Sequence, residues 1–122
     1  EYRSLRFEHR HLTDIEDFQG NAVVNYTDRE TPYTRVIEHK HFEFGKQRST
    51  VITYEYPDDF EQGKEPYYPV NDEKNSLIFR KYQELAQQQE RVLFGGRLAQ
   101  YTYADMDDTV AAALKLWKKE SL

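Results

Sequence analysis

Two arginines, a group of tyrosines and two histidine pairs are the residues of this chain best suited to chemistry. Arg97 follows Gly95-Gly96, where a chain can take positive φ or let another group approach the backbone closely. Its guanidinium is a fixed, always-charged fork of donors, suited to a phosphate or a planar acceptor. Tyr101 and Tyr103 are two apart, so an extended backbone puts both on one face. Arg35 follows Tyr33-Thr34, one expected strand over from Asn25. On an aromatic-rich sheet face its fork suits bidentate capture of a diphosphate, and it equally suits a cross-strand ion pair with Glu55 or Glu8. The hydroxyls of Tyr68 and Tyr103 can donate to a phosphate oxygen while the rings pack on a sugar or base, or can simply be packed and satisfied. Asp105 and Glu55 have acid/base potential, but a helix N-cap and a strand-face salt bridge account for them as well. His9/His11 and His39/His41 form two HxH pairs. In strands each pair points its imidazoles the same way, and strand pairing could assemble a transition-metal site. Against this, no cysteine is present, and Glu38 and Lys40 surround one pair as they would salt-bridged surface histidines. There is no nucleophile elbow, P-loop, complete dinucleotide fingerprint or HExxH motif.

Positioning these groups falls to 122 residues, one domain at most. The formal charge of -5 and the scattered basic residues give no footprint for nucleic acid. No run approaches the length of a membrane span, and the missing cysteines exclude disulfides and thiolate metal sites, as suits a cytoplasmic protein. Ala, Val, Ile, Leu, Met, Phe, Trp and Gly make up only 41 residues, about 34% where globular domains have about 45–50%. Aromatic residues are 15%, too many for a disordered chain. Clear patterning with so thin an apolar supply implies a segment of a larger protein that lacks part of its core.

The expected fold class is α+β. Residues 2–12 alternate, with Leu5, Phe7, His9 and His11 on one side, so they predict a strand with one wet face. Further strands are expected at 22–26, at 33–44 and at 49–56, joined by short loops into an antiparallel sheet. Residues 57–71 hold three prolines and a glycine and read as a loop that fixes Tyr67-Tyr68. Asn71 or Asp72 caps a helix to about Gln89, with Ile78, Tyr82, Leu85 and Ala86 on one face. Val92-Leu93-Phe94 reads as a short buried strand. Met106, Val110, Leu114 and Trp117 then recur at helical spacing, so a last helix starts near Asp105. Asp105, Asp107 and Asp108 sit at its positive end and Lys115, Lys118 and Lys119 at its negative end. Strand, double glycine, arginine and helix N-terminus form a cradle for a ligand rich in acceptors. The three aspartates favour a neutral heterocycle carbonyl there over a bare phosphate; an ordinary, well-capped strand-turn-helix explains the same spacing.

Four blocks, FQGNAVVNYTD (18–28), PYTRVIEHKHF (32–42), EPYYPVNDEKN (65–75) and VLFGGRLAQYTYADMD (92–107), resemble in order and spacing the C-terminal third of the bacterial UDP-galactopyranose mutase family. That resemblance implies a cytoplasmic flavoenzyme that isomerises UDP-galactopyranose to UDP-galactofuranose for cell-surface glycans, with reduced FAD as cofactor, no metal, no nucleic-acid or membrane partner, and a homodimeric assembly. It implies that residues 1–70 form a substrate-side sheet domain. Residues 71–122 would be a helix-strand-helix piece completing a flavin-binding α/β domain whose remainder is absent from this chain, so the segment alone would be inactive. By motif, Arg35 matches the diphosphate clamp, the catalytic assignment, and Asn25, Tyr68 and Tyr103 match further sugar-nucleotide contacts. Arg97 and the helix start Asp105, Met106, Asp107, Asp108, Thr109, Val110 and Ala111 match the flavin side. Ala104 departs from the Tyr-Asp common in the family, which removes an aromatic contact. The contrasting expectation is a stand-alone β-rich module that binds a nucleotide or glycan.

Overall fold

In the computed structural model, which describes residues 1–121, the chain divides into two compact units: Ser4–Glu65, and Glu1–Arg3 together with the chain from Pro66 onward. The first is a sheet unit. Strand β1 (Tyr2–Leu12) gives it all but its first two residues, and β2 (Val23–Asn25), β3 (Arg35–Glu38) and β4 (Thr50–Asp59) complete it in the order β2-β3-β4-β1. The β2/β3 and β3/β4 pairs are antiparallel. Their register sets Asn25 opposite Arg35 and Arg35 opposite Glu55. The expectation of an antiparallel sheet from consecutive strands therefore holds.

What packs the sheet is mostly polar. Among the described residues Val36 and Ile52 are the only buried hydrophobic side chains, and both belong to this unit. Beside them lies Glu38, 0% exposed, whose carboxylate accepts from the backbone of Phe18 (3.0 Å) and Gln19 (2.9 Å) and from the Thr50 hydroxyl (2.7 Å). His41 Nε2 stands 3.2 Å from the same carboxylate. Lys40 is buried too, and its ammonium donates to the carbonyls of Glu16 and Gln47.

That pair of buried charges corrects the expected third strand. The strand reaches only Glu38 and gives way to a 3-10 helix, His39–Glu43. Loop carbonyls capture Lys40, and the chain leaves the sheet to meet them. The helix closes with Phe44 at φ 52°, while Gly45 N–H returns to the Lys40 carbonyl at 2.8 Å. β4 also differs: it runs past Tyr56 through Pro57 to Asp59, into the stretch expected to be loop. Lys64 tethers the end of β4, donating to the Asp58 carboxylate at 2.9 Å and the Asp59 carbonyl at 3.1 Å.

The second unit is mainly helical. A two-residue strand β5 (Tyr68–Pro69) pairs antiparallel with the start of β1, Tyr2 opposite Pro69 and Arg3 opposite Tyr68. Helix α1 (Glu73–Gln87) starts where expected: Asp72 is its N-cap and accepts from the Asn75 N–H at 2.7 Å. Helix α3 (Met106–Glu120) starts after Asp105, also as expected, although the Asp105 side chain makes no capping hydrogen bond.

The strand expected at Val92–Phe94 is absent. These residues are irregular and exposed, and Gly96 at φ +85° opens a single helical turn, α2 (Gly96–Ala99). A strand needs a paired edge, and among the described residues no strand pairs with this one. The helix-strand-helix expected for residues 71–122 is therefore helix, loop, short helix, helix. Tyr101 and Tyr103 do not alternate on one extended face either. Tyr101 turns left-handed (φ 49°) as its N–H closes α2 onto the Leu98 carbonyl at 3.1 Å, and its hydroxyl, with one proton to give, lies 2.6 Å from the carbonyl of Glu1 and 2.9 Å from that of Val70.

Burial pushes the Glu38 carboxyl up, but the bonds from Thr50, Phe18 and Gln19 and the nearby His41 outweigh it, so its pKa lies below the ordinary 4.5. A depressed pKa contributes stability that is complete above 4.5 and lost as the pH falls through the lower folded value. Thermal melting followed by circular dichroism should show stability declining below pH 4.5, and Glu38→Gln should flatten that decline while lowering neutral stability by about 1–3 kcal/mol. An equally steep acid limb in Glu38→Gln would contradict this account. Ile52→Ala, which opens a cavity in a two-residue apolar core, should cost about 2–5 kcal/mol in urea unfolding.

Candidate functional site

In the sheet unit Arg35 is held in place by its neighbours on paired strands. Its Nε donates to Asn25 Oδ1 at 2.9 Å, and its terminal nitrogen stands 3.7 Å from the buried carboxylate of Glu55. Of the two acids weighed as partners, Glu55 is the one used. Glu8 is occupied by Arg10 at 2.6 Å and by the Tyr56 hydroxyl at 3.3 Å. Even so, 39% of the Arg35 side chain stays exposed. An oriented, partly open guanidinium retains capacity for an anionic ligand.

The face it occupies is not the aromatic one. Arg35, Asn25 and Glu55 are directly opposite in register and share a side of the sheet, while strand alternation puts Tyr54 and Tyr56 on the other. There Tyr33 meets Tyr26, Tyr54 and Tyr56 edge-on at centroid separations of 4.9, 4.8 and 5.9 Å. Arg6 lies 3.9 Å over the Tyr56 ring and Arg10 4.9 Å over Tyr54. The alternation of β1 already separated Arg6 and Arg10 from His9; what they covered was not legible.

The histidines regroup as well. Because the chain leaves the strand at Glu38, His39 and His41 no longer point the same way. His41 approaches Asp17 (3.3 Å) and Glu38 (3.2 Å), whereas His39 Nε2 and His9 Nδ1 each lie 2.7 Å from the Thr53 hydroxyl.

In the helical unit Arg97, Tyr68 and Tyr103 come together. The tyrosine rings stack at 6.0 Å with 27° between planes, and the guanidinium carbon lies 4.9 Å over Tyr103 and 5.4 Å over Tyr68. One Arg97 terminal nitrogen donates to the Tyr67 carbonyl, and its Nε is buried without a partner. That carbonyl anchor is a backbone contact no residue-type motif announces. Along the first turns of α3, Asp105, Met106, Asp107, Asp108, Thr109, Val110 and Ala111 follow in order. Thr109 caps back onto the Asp105 carbonyl through its N–H and its hydroxyl, and Met106 is 87% exposed. An uncapped 15-residue helix start and an orphaned guanidinium N–H are donors without acceptors, and they fit the carbonyl edge of a flavin. A separate groove of about 820 Å³, lined by Ile78, Tyr82, Leu93, Phe94, Leu98 and Leu116 among others, includes none of Arg97, Tyr68 and Tyr103.

Residues 1–103 match the profile of the UDP-galactopyranose mutase family. The chain belongs to that family. Among curated relatives it is 40% identical to a probable UDP-galactopyranose mutase of Klebsiella pneumoniae over 93% of its length. It is 37% identical to the dTDP-fucopyranose mutase of Escherichia coli over 94%, and 36% identical to the UDP-galactopyranose mutase of Mycoplasma pneumoniae over 93%. It spans about 30% of the length of each of these relatives. The family profile takes in Asn25, Arg35, Tyr68, Arg97 and Tyr103 and ends before Asp105.

The stacking of Arg97 on both tyrosines is a measurable interaction. A double-mutant cycle of Arg97→Ala and Tyr103→Ala in urea unfolding should give a coupling of about 0.5–1 kcal/mol, as for a partly exposed cation on a ring. Additive losses would mean that the contact carries no energy.

Proposed function

We propose that this chain forms part of a flavin-dependent UDP-galactopyranose mutase, which isomerises UDP-galactopyranose to UDP-galactofuranose for cell-surface glycans in the cytoplasm and acts as a homodimer. Family membership supports the reaction class, and the share of its relatives that the chain spans supports a catalytic unit larger than these 122 residues. Residues 1–70 are assigned to a substrate-side sheet domain and residues 71–122 to part of a flavin-binding domain. No helix among the described residues is long and apolar enough to cross a membrane.

The observation that carries the reading is Arg35, oriented by Asn25 and Glu55 yet open to a ligand. Its role is to neutralise the diphosphate as it leaves the sugar and to hold it for return, a charge-stabilising task that needs no proton transfer. Asn25 orients the guanidinium and faces the same ligand. The hydroxyls of Tyr68 and Tyr103 donate to phosphate oxygens, with the Arg97 guanidinium lying over their rings. Arg97 and the α3 start from Asp105 to Ala111 are the residues here that would hold FAD; when bound and reduced, it supplies the nucleophile for the anomeric carbon.

The relative named for dTDP-fucopyranose favours a second substrate reading, in which the same clamp serves a different nucleoside diphosphate sugar. A chimera with this chain in place of the matching segment of the Klebsiella relative should isomerise UDP-galactopyranose under reducing conditions. Arg35→Ala should lower its rate at least about 100-fold; because it also leaves the buried Glu55 carboxylate without its cation, circular dichroism and the more conservative Arg35→Lys, which keeps the charge but not the fork, separate lost catalysis from lost stability. An undiminished rate in Arg35→Ala would remove the clamp, and turnover of dTDP-fucopyranose alone would select the second substrate. Tight UDP binding by the isolated 122 residues would instead favour a stand-alone binding module.

A further inference from the structure

We propose that His9 and His39, set into opposite tautomers by the Thr53 hydroxyl, form a donor–acceptor pair that binds a diol of a nucleotide sugar whose diphosphate meets Arg35. The ligand rests on the mutase reading; the pair itself rests on the sheet unit alone. β3 and β4 set Arg35 opposite Glu55 and, one row further along, Ile37 opposite Thr53. Thr53 is two residues from Glu55 on β4, so it points to the same side of the sheet as the Arg35 clamp. His9 Nδ1, from β1, and His39 Nε2, from the 3-10 helix, each stand 2.7 Å from the Thr53 oxygen. Successive rows on one face are about 6.5 Å apart along a strand, which places the imidazoles where a sugar next to a clamped diphosphate would lie.

The hydroxyl decides what the outer edges of the two rings offer. Thr53 is buried and has one proton to share between two nitrogens. When both rings are neutral, the hydroxyl donates to one inner nitrogen, and the other ring donates its N–H to the oxygen. A neutral imidazole carries a single N–H. The ring that accepts inside therefore presents an N–H outside, and the ring that donates inside presents a bare lone pair. The outer atoms are His9 Nε2 and His39 Nδ1, and both residues are exposed while Thr53 is not. A phosphate oxygen only accepts, so it would suit one ring and oppose the other. A hydroxyl both donates and accepts, and two adjacent hydroxyls satisfy both rings at once. In a UDP-hexose such diols flank the diphosphate, one on the ribose and one on the hexose. Arg35 and Glu55 on the same face are already paired with each other at 3.7 Å, so neither competes for the imidazoles.

Imidazole ¹⁵N resonances of the unsubstituted chain, recorded near about pH 8 where histidine is neutral, should show His9 and His39 as opposite tautomers. The same tautomer in both rings would overturn the proposal. In the Klebsiella chimera, His9→Ala, His39→Ala and Thr53→Val should each raise KM for UDP-galactopyranose about 3–10-fold, the loss of one hydrogen bond. With uniform binding lost, kcat should stay within about twofold, and circular dichroism reports that each variant has folded. Ligands lacking one hydroxyl distinguish the two sugars. If the ribose is held, UDP-galactopyranose with 2′-deoxyribose should already show the raised KM and lose nothing more on His9→Ala/His39→Ala; if the hexose is held, a UDP-deoxygalactose should behave that way. An unchanged KM in His9→Ala/His39→Ala, or the same loss with every deoxy ligand, would overturn the pair as a diol site. A chimera that turns over no nucleotide sugar would remove the mutase reading and the ligand with it, whereas the tautomer result stands or falls by itself.

Discussion

The Glu38 carboxylate, closed off from solvent, accepts hydrogen bonds from two consecutive backbone N–H groups, Phe18 and Gln19, and from Thr50 on the neighbouring strand. A buried carboxylate is costly unless its lone pairs are filled, and here they are. The consequences spread along the chain. The loop before β2 is bound to the end of β3, so Asn25 enters the sheet in the register that meets Arg35. Just beyond, Lys40 turns inward to loop carbonyls, which ends β3 and starts the 3-10 helix that swings His39 over to Thr53. With only Val36 and Ile52 as buried apolar partners, this polar lattice determines the shape of the sheet unit more than hydrophobic packing does.

The helical unit carries the opposite imbalance. Leu77, Ile78, Tyr82 and Leu85 of α1 and Val110, Leu114 and Trp117 of α3 are exposed, although each helix has regular apolar spacing. Such spacing is the mark of a helix with a face to bury, and the apolar shortage in the composition is the same fact seen from the sequence.

Two arginines show how one side chain is prepared in different ways. Arg35 is oriented by hydrogen bonding and ion pairing to Asn25 and Glu55, so its direction is fixed by strand register. Arg97 is oriented by the faces of Tyr68 and Tyr103 and by a backbone carbonyl, so its direction follows from the turn at Gly96 and the constrained Tyr67-Tyr68 segment. In both cases the guanidinium is preorganised and incompletely satisfied, as a group that meets an anion or an acceptor edge must be.

Period and caps were legible in the linear chain because they depend on neighbours a few residues away. The alternation of residues 2–12 gave β1, the Asn71-Asp72 pair marked the start of α1 and the structure selects Asp72 as its cap, and the apolar spacing after Asp105 marked α3. The Asn25, Arg35 and Glu55 alignment was half legible, since alternation names a face within one strand, but only strand order and register set Glu55 of the adjacent β4, and not Glu8 of β1 beyond it, against Arg35. The early end of β3, the irregular course of Val92–Phe94 and the meeting of His9 with His39 were decided by the tertiary structure. Each turns on a partner far along the chain: carbonyls for the buried Lys40, a neighbouring strand for Val92–Phe94, and a hydroxyl on β4 for two imidazoles. Local spacing encodes propensity, whereas burial and long-range pairing decide which propensities are realised.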